Sequence, residues 1–464
     1  MSVIDSFKER YKTAGGYAEF LKISIPLIAS TGIEAVQLFI NKIFLSRYSQ
    51  ESFIASTPAG IINWSIVCFF FGTLTYIDIF IAQYYGQKRY KEIGPAIWQG
   101  IYLAFIATCI IFLSSIFAKS FFMSIGHPYD VACEEVKYFT TLCYGSFPCI
   151  AETVFAGFYA GIGKTKIVLI VSLCGVITNI ILDFCLIYGH YGLPNMGITG
   201  AALANNISLF IVCIIYTVLI VSKKNSNIYN TRNIKPNFTF IKRLLCYGLP
   251  NGGEFFFDTI GFGIFIIIIG HIGIYELAAS NIVATIHHIL SVFIVGCGMS
   301  TSLIVGKYVG KNNICVAKSS VQSAIHIVSL YILIVFFCLI LFPNKFIMLF
   351  ASSEQSVLLD KIRPMLFNLL RMLAFYLIFN ASNIIFSSAI KGAGDTIFIV
   401  KKFILFSILF IIIPTYISVI FLKLSIYIAW SFVLLYNMAL SLSFYYRYKS
   451  QRWTITHLIG KNNQ

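Results

Sequence analysis

The sequence predicts an all-α membrane protein of twelve transmembrane helices in two six-helix lobes, and three observations carry that fold class. The first is composition: 58% of the 464 residues are hydrophobic and 11% are charged, against about 25% charged in soluble domains. The second is hydropathy, which divides the chain into twelve apolar spans long enough to cross a bilayer. The third is an internal repeat: Pro26 and Pro250, Glu34 and Asp258, and Gly86 and Gly310 are each separated by 224 positions. The repeat implies two like halves related by a pseudo-two-fold axis along the membrane normal, with a cavity between them.

In chain order, a polar N-terminal segment (1–17) shows no short apolar core with a small-residue cleavage motif, so the first span is expected to be retained. The N-lobe occupies 18–222, with spans at roughly 18–46, 52–82, 94–118, 136–160, 167–189 and 197–222. A polar, basic stretch containing Pro236 (223–242) reads as a cytoplasmic linker. The C-lobe occupies 243–446, with spans at roughly 243–271, 277–305, 317–342, 363–390, 397–422 and 425–446. A short tail (447–464) completes the chain.

Charge sets the topology. With Arg371 inside a span, 25 of the 34 Lys and Arg residues fall in the termini and even-numbered loops, and 8 fall on the other side. Both termini are therefore expected in the cytoplasm of a bacterial cell whose inner membrane holds the chain. The net charge of +16 reads as this loop bias, with membrane lipid and not nucleic acid as the surroundings. Eleven of the twelve cysteines lie in or beside apolar spans, without CxxC pairs or zinc spacing, and read as small packing residues.

The repeat extends beyond single residues. IAQYYGQKRYKEIG (81–94) matches IVGKYVGKNNICVA (304–317), with Gly86 and Gly310 at the 224 offset, and FAGFYAGIGKTK (155–166) matches FSSAIKGAGDTI (386–397) at 231. One loop insertion explains the drift.

The residues that carry chemistry are polar groups inside apolar spans. The first span holds Pro26, Glu34 and Asn41. A proline removes a backbone donor and loosens its helix. A carboxylate at bilayer depth costs at least ~2.5 kcal/mol and by default faces a protein interior with a job to do. A broken helix bearing an acid, once in each half, points to a transporter. Asn179 and Asp183 are i and i+4, so they share one face of the fifth span. Their oxygens suit a sodium ion, or Asp183 a proton, while an interhelical hydrogen bond is the plainer use. Glu34 lies two turns before Asn41 on roughly the same face, and Glu254 lies one turn before Asp258.

Three stretches resemble the multidrug and toxic compound extrusion (MATE) family: NIILDFCLIYG with GITGAALANNIS (179–189 and 197–208), the pair GIGKTK and KGAGDT, and the GLP at 248–250. The resemblance covers roughly 18–446. It implies export of organic, often cationic compounds by antiport with sodium ions or protons through alternating access. It places the N-lobe cation site on Asp183 and Asn179, with Asn41 where the family usually has an Asp and Asn205 where it often has a small hydroxyl residue. An amide coordinates sodium but takes up no proton near neutral pH, so Asp183 titrates alone or the ion is sodium. The resemblance also points to Asp258 as an acid binding cation or substrate, and maps the acid of the tenth span of some members onto Asn380. Glu34, Asp258, Glu254 and Asn380 are accordingly read as a substrate or second cation site, and Pro26 and Pro250 as helix-bending positions.

Arg371 either pairs with Asp258 or Glu254 or snorkels outward, and Asp78 and Glu152 read equally as structural pairs or helix-end residues. His287 and His288 fit a proton relay or, more plainly, helix–helix hydrogen bonds, and His271 stands near the outer end of the seventh span. No Walker, Ser–His–Asp or HExxH pattern is present, so the reading is a monomeric transporter without enzyme chemistry or cofactor. The alternative is a lipid-linked oligosaccharide flippase of the same superfamily, which would need more basic residues to neutralise pyrophosphate.

Overall fold

The computed structural model describes residues 10–348 and 356–454. Residues 1–9 of the N-terminal segment and 455–464 of the tail lie outside the described residues. No strand occurs among the described residues.

In the first half, α1 is Tyr17–Tyr48, α2 Gln50–Gly86 and α3 Tyr90–Ser124. Then come α4 Tyr129–Tyr144, α5 Ser146–Gly161, α6 Thr165–Tyr188 and α7 Gly197–Val221. In the second half, α8 is Phe238–Gly270, α9 Ile274–Gly310, α10 Ile314–Leu341 and α11 Ser356–Ala393, followed by α12 Thr396–Phe421 and α13 Ile426–Lys449. Eleven of these, all but α4 and α5, are long and apolar enough to cross a membrane.

The fourth expected span is thus two helices of 16 residues each, neither long enough alone at 1.5 Å rise per residue. The break has a local cause. Gly145 N–H turns back to Leu142 O at 3.1 Å, which leaves the Thr141 carbonyl to accept from Asn206 Nδ2 at 2.6 Å. A Cβ on Gly145 would lie 1.9 Å from Asn206 Oδ1, so only glycine admits this crossing side chain.

The prolines do not break their helices as expected. Both α1 and α8 run through, with Pro26 and Pro250 inside them. In a bilayer, neighbouring helices and small adjustments re-satisfy the carbonyl that a proline frees. A proline does distort α12, where π-helical stretches at Ser407–Ile412 and Ile417–Phe421 flank Pro414.

The chain forms two compact units, residues 25–256 and residues 1–24 with 257–464. These cuts fall inside α1 and α8, not in the linker from which the helix count divides the lobes. In the first unit, α2 packs on α4 and the end of α2 on α5, while α6 packs on α7. The linker is strapped to α3: Trp98 Nε1 donates to Thr231 O at 2.7 Å, Gln99 Nε2 to Lys235 O at 3.0 Å, and the Asn237 N–H to Gln99 Oε1 at 2.8 Å. In the second unit, α11 packs on α9 and α13. The first turns of α1 are held there too. Lys307 Nζ donates to Glu19 Oε1 at 2.6 Å, and Tyr308 Oη to Glu19 Oε2 at 2.7 Å.

The two Gly-rich turns show what the repeat means in space. A Cβ on Gly161 would lie 2.8 Å from Asp78 O, and one on Gly392 would lie 2.5 Å from Ser302 O. Asp78 and Ser302 are themselves 224 apart. Two residues beyond, Gly163 and Gly394 have φ of 77° and 110°, the region L-residues avoid.

Candidate cation-binding site

The site is built on a polar seam where α1 lies along α6. Ser30, Glu34, Gln37 and Asn41 follow i, i+4, i+7 and i+11 spacing and share one face of α1. Ser172, Asn179 and Asp183 do the same on α6. Ser30 Oγ donates to Ser172 Oγ at 2.7 Å at one end. Tyr188 Oη donates to Phe44 O at 2.9 Å at the other, with the two rings edge to face at 6.1 Å.

Between these pins, Asn41, Asn179 and Asp183 come together, as the sequence reading expects. Asn179 and Asp183 have no exposed surface. With their amides turned to suit their neighbours, Asn41 and Asn179 both donate to Asp183 Oδ2, the latter at 3.1 Å. Asn41 also donates to Gln37 O at 3.0 Å, and the Asn179 oxygen accepts from the Asn205 backbone N–H at 3.2 Å. Asn205 thus enters the cage through its main chain. Asp183 Oδ1 is buried with no hydrogen-bond partner. Tyr138 of α4 stands within charge reach of Asp183.

This arrangement is chemically two-faced. A carboxamide presents donors on one side and an acceptor on the other, so a half-turn exchanges N–H for C=O. With the amides turned to suit their neighbours, N–H groups stabilise an ionised Asp183. Turned over, the same side chains would offer amide oxygens to the Asp183 carboxylate side, a hard set suited to a sodium ion. A proton on Asp183 would satisfy Oδ1 instead. Among the described residues no three His, Cys, Asp or Glu side chains group as a metal site.

The other predicted residues are distributed differently. Glu34 is exposed, in side-chain hydrogen-bond reach of Ser172 and charge reach of Glu152 on α5. Glu254 is 9% exposed and belongs to the unit of residues 25–256, whereas Asp258, exposed, belongs to the other unit. Arg371 is exposed on α11.

Asn380 joins a second polar cluster. Its Nδ2 donates to Tyr376 Oη at 3.3 Å and to Asn437 Oδ1 at 3.4 Å, and Asn383 Nδ2 donates to the same oxygen at 3.4 Å. Oδ1 of Asn383 is buried without a partner, and His287 stands in side-chain hydrogen-bond reach of Asn380. The His287 ring meets Tyr376 edge to face at 5.0 Å, and Asp258 lies within charge reach of Tyr376. Sequence reasoning missed Gln37, Ser30 and Ser172 in the seam, and Asn383 and Asn437 here. The i, i+4, i+7 spacing of 30/34/37 and of 376/380/383 was the available signal.

Comparison with known proteins places this architecture. A family model described as MatE matches residues 26–185 and 250–417, so the two matched segments begin at the paired prolines. A probable multidrug resistance protein NorM of Bacillus licheniformis is 24% identical over 348 residues, covering 74% of this chain and 76% of the relative. One of the same description from Photorhabdus laumondii is 23% identical over 380 residues, 82% of each chain. Among solved structures, an outward-facing multidrug resistance MATE family transporter of the MOP superfamily superposes with a TM-score of 0.85 at 20% identity, covering 95% of this chain and 96% of that one. A eukaryotic MATE transporter does so at 0.84 and 18%, covering 97% and 98%.

Proposed function

Because this chain belongs to the MatE family, we propose that it is a secondary active antiporter that exports organic cations in exchange for sodium ions or protons. The observation that carries the reading is the seam of α1 and α6. There a fully buried carboxylate, Asp183, keeps one oxygen unpaired while its other oxygen accepts from the amides of Asn41 and Asn179. A buried, unpaired carboxylate oxygen at bilayer depth is costly for packing alone and is what a site that alternately holds and releases a cation requires. Relatives named as multidrug resistance proteins support small organic molecules as cargo.

With Asn41 in place of a second acid, the cage has a single titrating group. Binding of one cation then changes its charge by one. Cation entry neutralises Asp183 and turns the amides, and the exchange of donors for acceptors alters how α1 is held against α6. We place both termini in the cytoplasm of a bacterial cell, with the chain acting as a monomer.

The test is efflux of ethidium from proteoliposomes under an imposed Na⁺ gradient or an imposed ΔpH, with wild type beside Asp183→Asn and Asp258→Asn. Ion-driven efflux lost in Asp183→Asn and kept in Asp258→Asn is expected. Loss only in Asp258→Asn would move coupling to the other unit, and folded protein silent under both gradients would favour the flippase.

A further inference from the structure

A second set of titratable groups lies in the unit of residues 25–256, away from the Asp183 cage. Glu34 on α1 lies seven residues before Asn41, about 10 Å along the helix at 1.5 Å per residue. The Ser30–Ser172 hydrogen bond fixes the register of α1 on α6. One turn later Glu34 comes into side-chain reach of Ser172.

From the other side, Cys213 Sγ on α7 donates to Pro148 O on α5 at 3.3 Å. One turn further along each helix stand Tyr216 and Glu152. The Tyr216 ring stacks on Tyr159 at 5.9 Å and tilts against Phe155 at 6.4 Å, both on the helix that carries Glu152. Tyr216 has no exposed surface, and its hydroxyl has no hydrogen-bond partner. Glu152 and Glu34 both lie within charge reach of that hydroxyl and of each other.

We propose that Glu34, Glu152 and the Tyr216 hydroxyl form a second cation station, which holds one monovalent inorganic cation, a proton or a sodium ion, between the two carboxylates. Three facts lead there. Two carboxylates within charge reach of each other at bilayer depth do not readily both ionise without a counter-ion. Ser172 of α6 is in hydrogen-bond reach of Glu34, and the titratable groups within charge reach of one or both carboxylates are Cys149 of α5 and Cys213 and Tyr216 of α7, none of them a cation. And a buried phenol with an unused donor is what a carboxylate left negative on cation release would call on. Glu34 supplies the entrance, because it is the exposed member. The station lies on the same α1 face as the Asp183 cage, so a cation leaving one finds the next on the same seam.

This deepens the antiport reading by adding a site to the cation's route, and its test needs no transport. The full chain, reconstituted in liposomes in an Asp183→Asn background, is titrated by infrared difference spectroscopy of the protonated carboxyl band, in sodium and in choline. Glu34→Gln is expected to move titration of the remaining Glu152 to lower pH by about one unit or more, and Glu152→Gln to do the same for Glu34. Tyr216→Phe raises the midpoint, because the ionised pair loses its donor. A sodium-dependent lowering of the midpoint assigns sodium competing with the proton; equal curves in sodium and choline assign the proton alone. Carboxyl titrations that stay put when the partner is removed, and that ignore sodium, overturn the station. Should Glu152→Gln not fold, the Glu34→Gln arm, at an exposed side chain, decides. Failure here with intact ion-driven efflux leaves the antiporter standing, and the reverse holds as well.

Discussion

Asn41 is an amide beside Asp183 Oδ2, and replacing its nitrogen by oxygen would change the charge chemistry of the cage while barely changing its shape. Asn41→Asp sets two carboxylates against one another, and one of them must hold a proton. Folding of the variant then takes up a proton that the unfolded chain gives up, so the stability tied to that proton is present at low pH and lost as pH rises. Thermal unfolding of Asn41→Asp in detergent should match wild type in mildly acidic buffer and fall below it in alkaline buffer; equal curves at both would mean that the two side chains do not interact. Asp183→Asn keeps shape and removes charge, so the protein should fold normally while ion-driven ethidium efflux drops at least roughly tenfold, about 1.4 kcal/mol of lost coupling. At this scale the sequence was half legible. An acid and an amide at i, i+4 in an apolar span announce themselves. Gln37 and Ser30 do not, because small or neutral polar residues are common in membrane helices. Glu152 did not show its partner, since nothing in a helix sequence says which distant helix it faces.

Among the elements, the Gly-rich turns make the sharpest claim. Gly392 brings α11 onto α9, where a Cβ would lie 2.5 Å from Ser302 O. Gly392→Ala should therefore cost about 1–3 kcal/mol, as overpacking does, and Gly161→Ala should behave alike. Gly163→Ala meets no atom within 4 Å but requires φ of 77°, and should cost about 1–2 kcal/mol through the backbone alone. Gly263→Ala in α8 is the control: its Cβ would meet nothing within 4 Å, and helix propensity predicts a gain of roughly 0.5–1 kcal/mol. Denaturant or thermal unfolding of the four variants should rank them in that order, and equal losses at 263 and 392 would refute the packing argument. The repeat of these glycines was plain in the sequence as an offset of 231. Its cause was not, because the carbonyls they approach lie in other helices. The breaks were misread for a related reason. Pro26 and Pro250 look like the strongest interruptions, yet their helices continue. The actual break falls at Gly145, where a side chain from α7 captures a carbonyl and no local pattern flags it.

For the whole molecule, the sidedness of the basic loops is a claim about orientation that the strapped linker sharpens. Lys88, Arg89 and Lys91 stand at the α2–α3 turn, while Lys223, Lys224, Arg232 and Lys235 stand in or beside the linker. Lys91 Nζ donates to Asn227 O at 2.7 Å and Tyr102 Oη to Ile234 O at 2.5 Å, so turn and linker lie together at the same end of α3. Seven cations gathered at one end of a membrane helix are expected on the cytoplasmic face, where positive loops are retained. The hydrogen bonds to α3 should slow cleavage at Arg232 by holding that backbone against the helix, and the Lys235–Pro236 bond is no trypsin site. Lys223 and Lys224, both exposed, are then the favoured cut sites. Trypsin added to inside-out vesicles should divide the chain near these lysines into two fragments of about equal size, and right-side-out vesicles should leave the linker whole. Gln99→Ala, which removes two of the strap's hydrogen bonds, should bring cleavage at Arg232 up toward the rate at Lys224 without changing the vesicle preference. Cutting confined to right-side-out vesicles would invert the topology, carry both termini outside, and turn the direction assigned to transport with it.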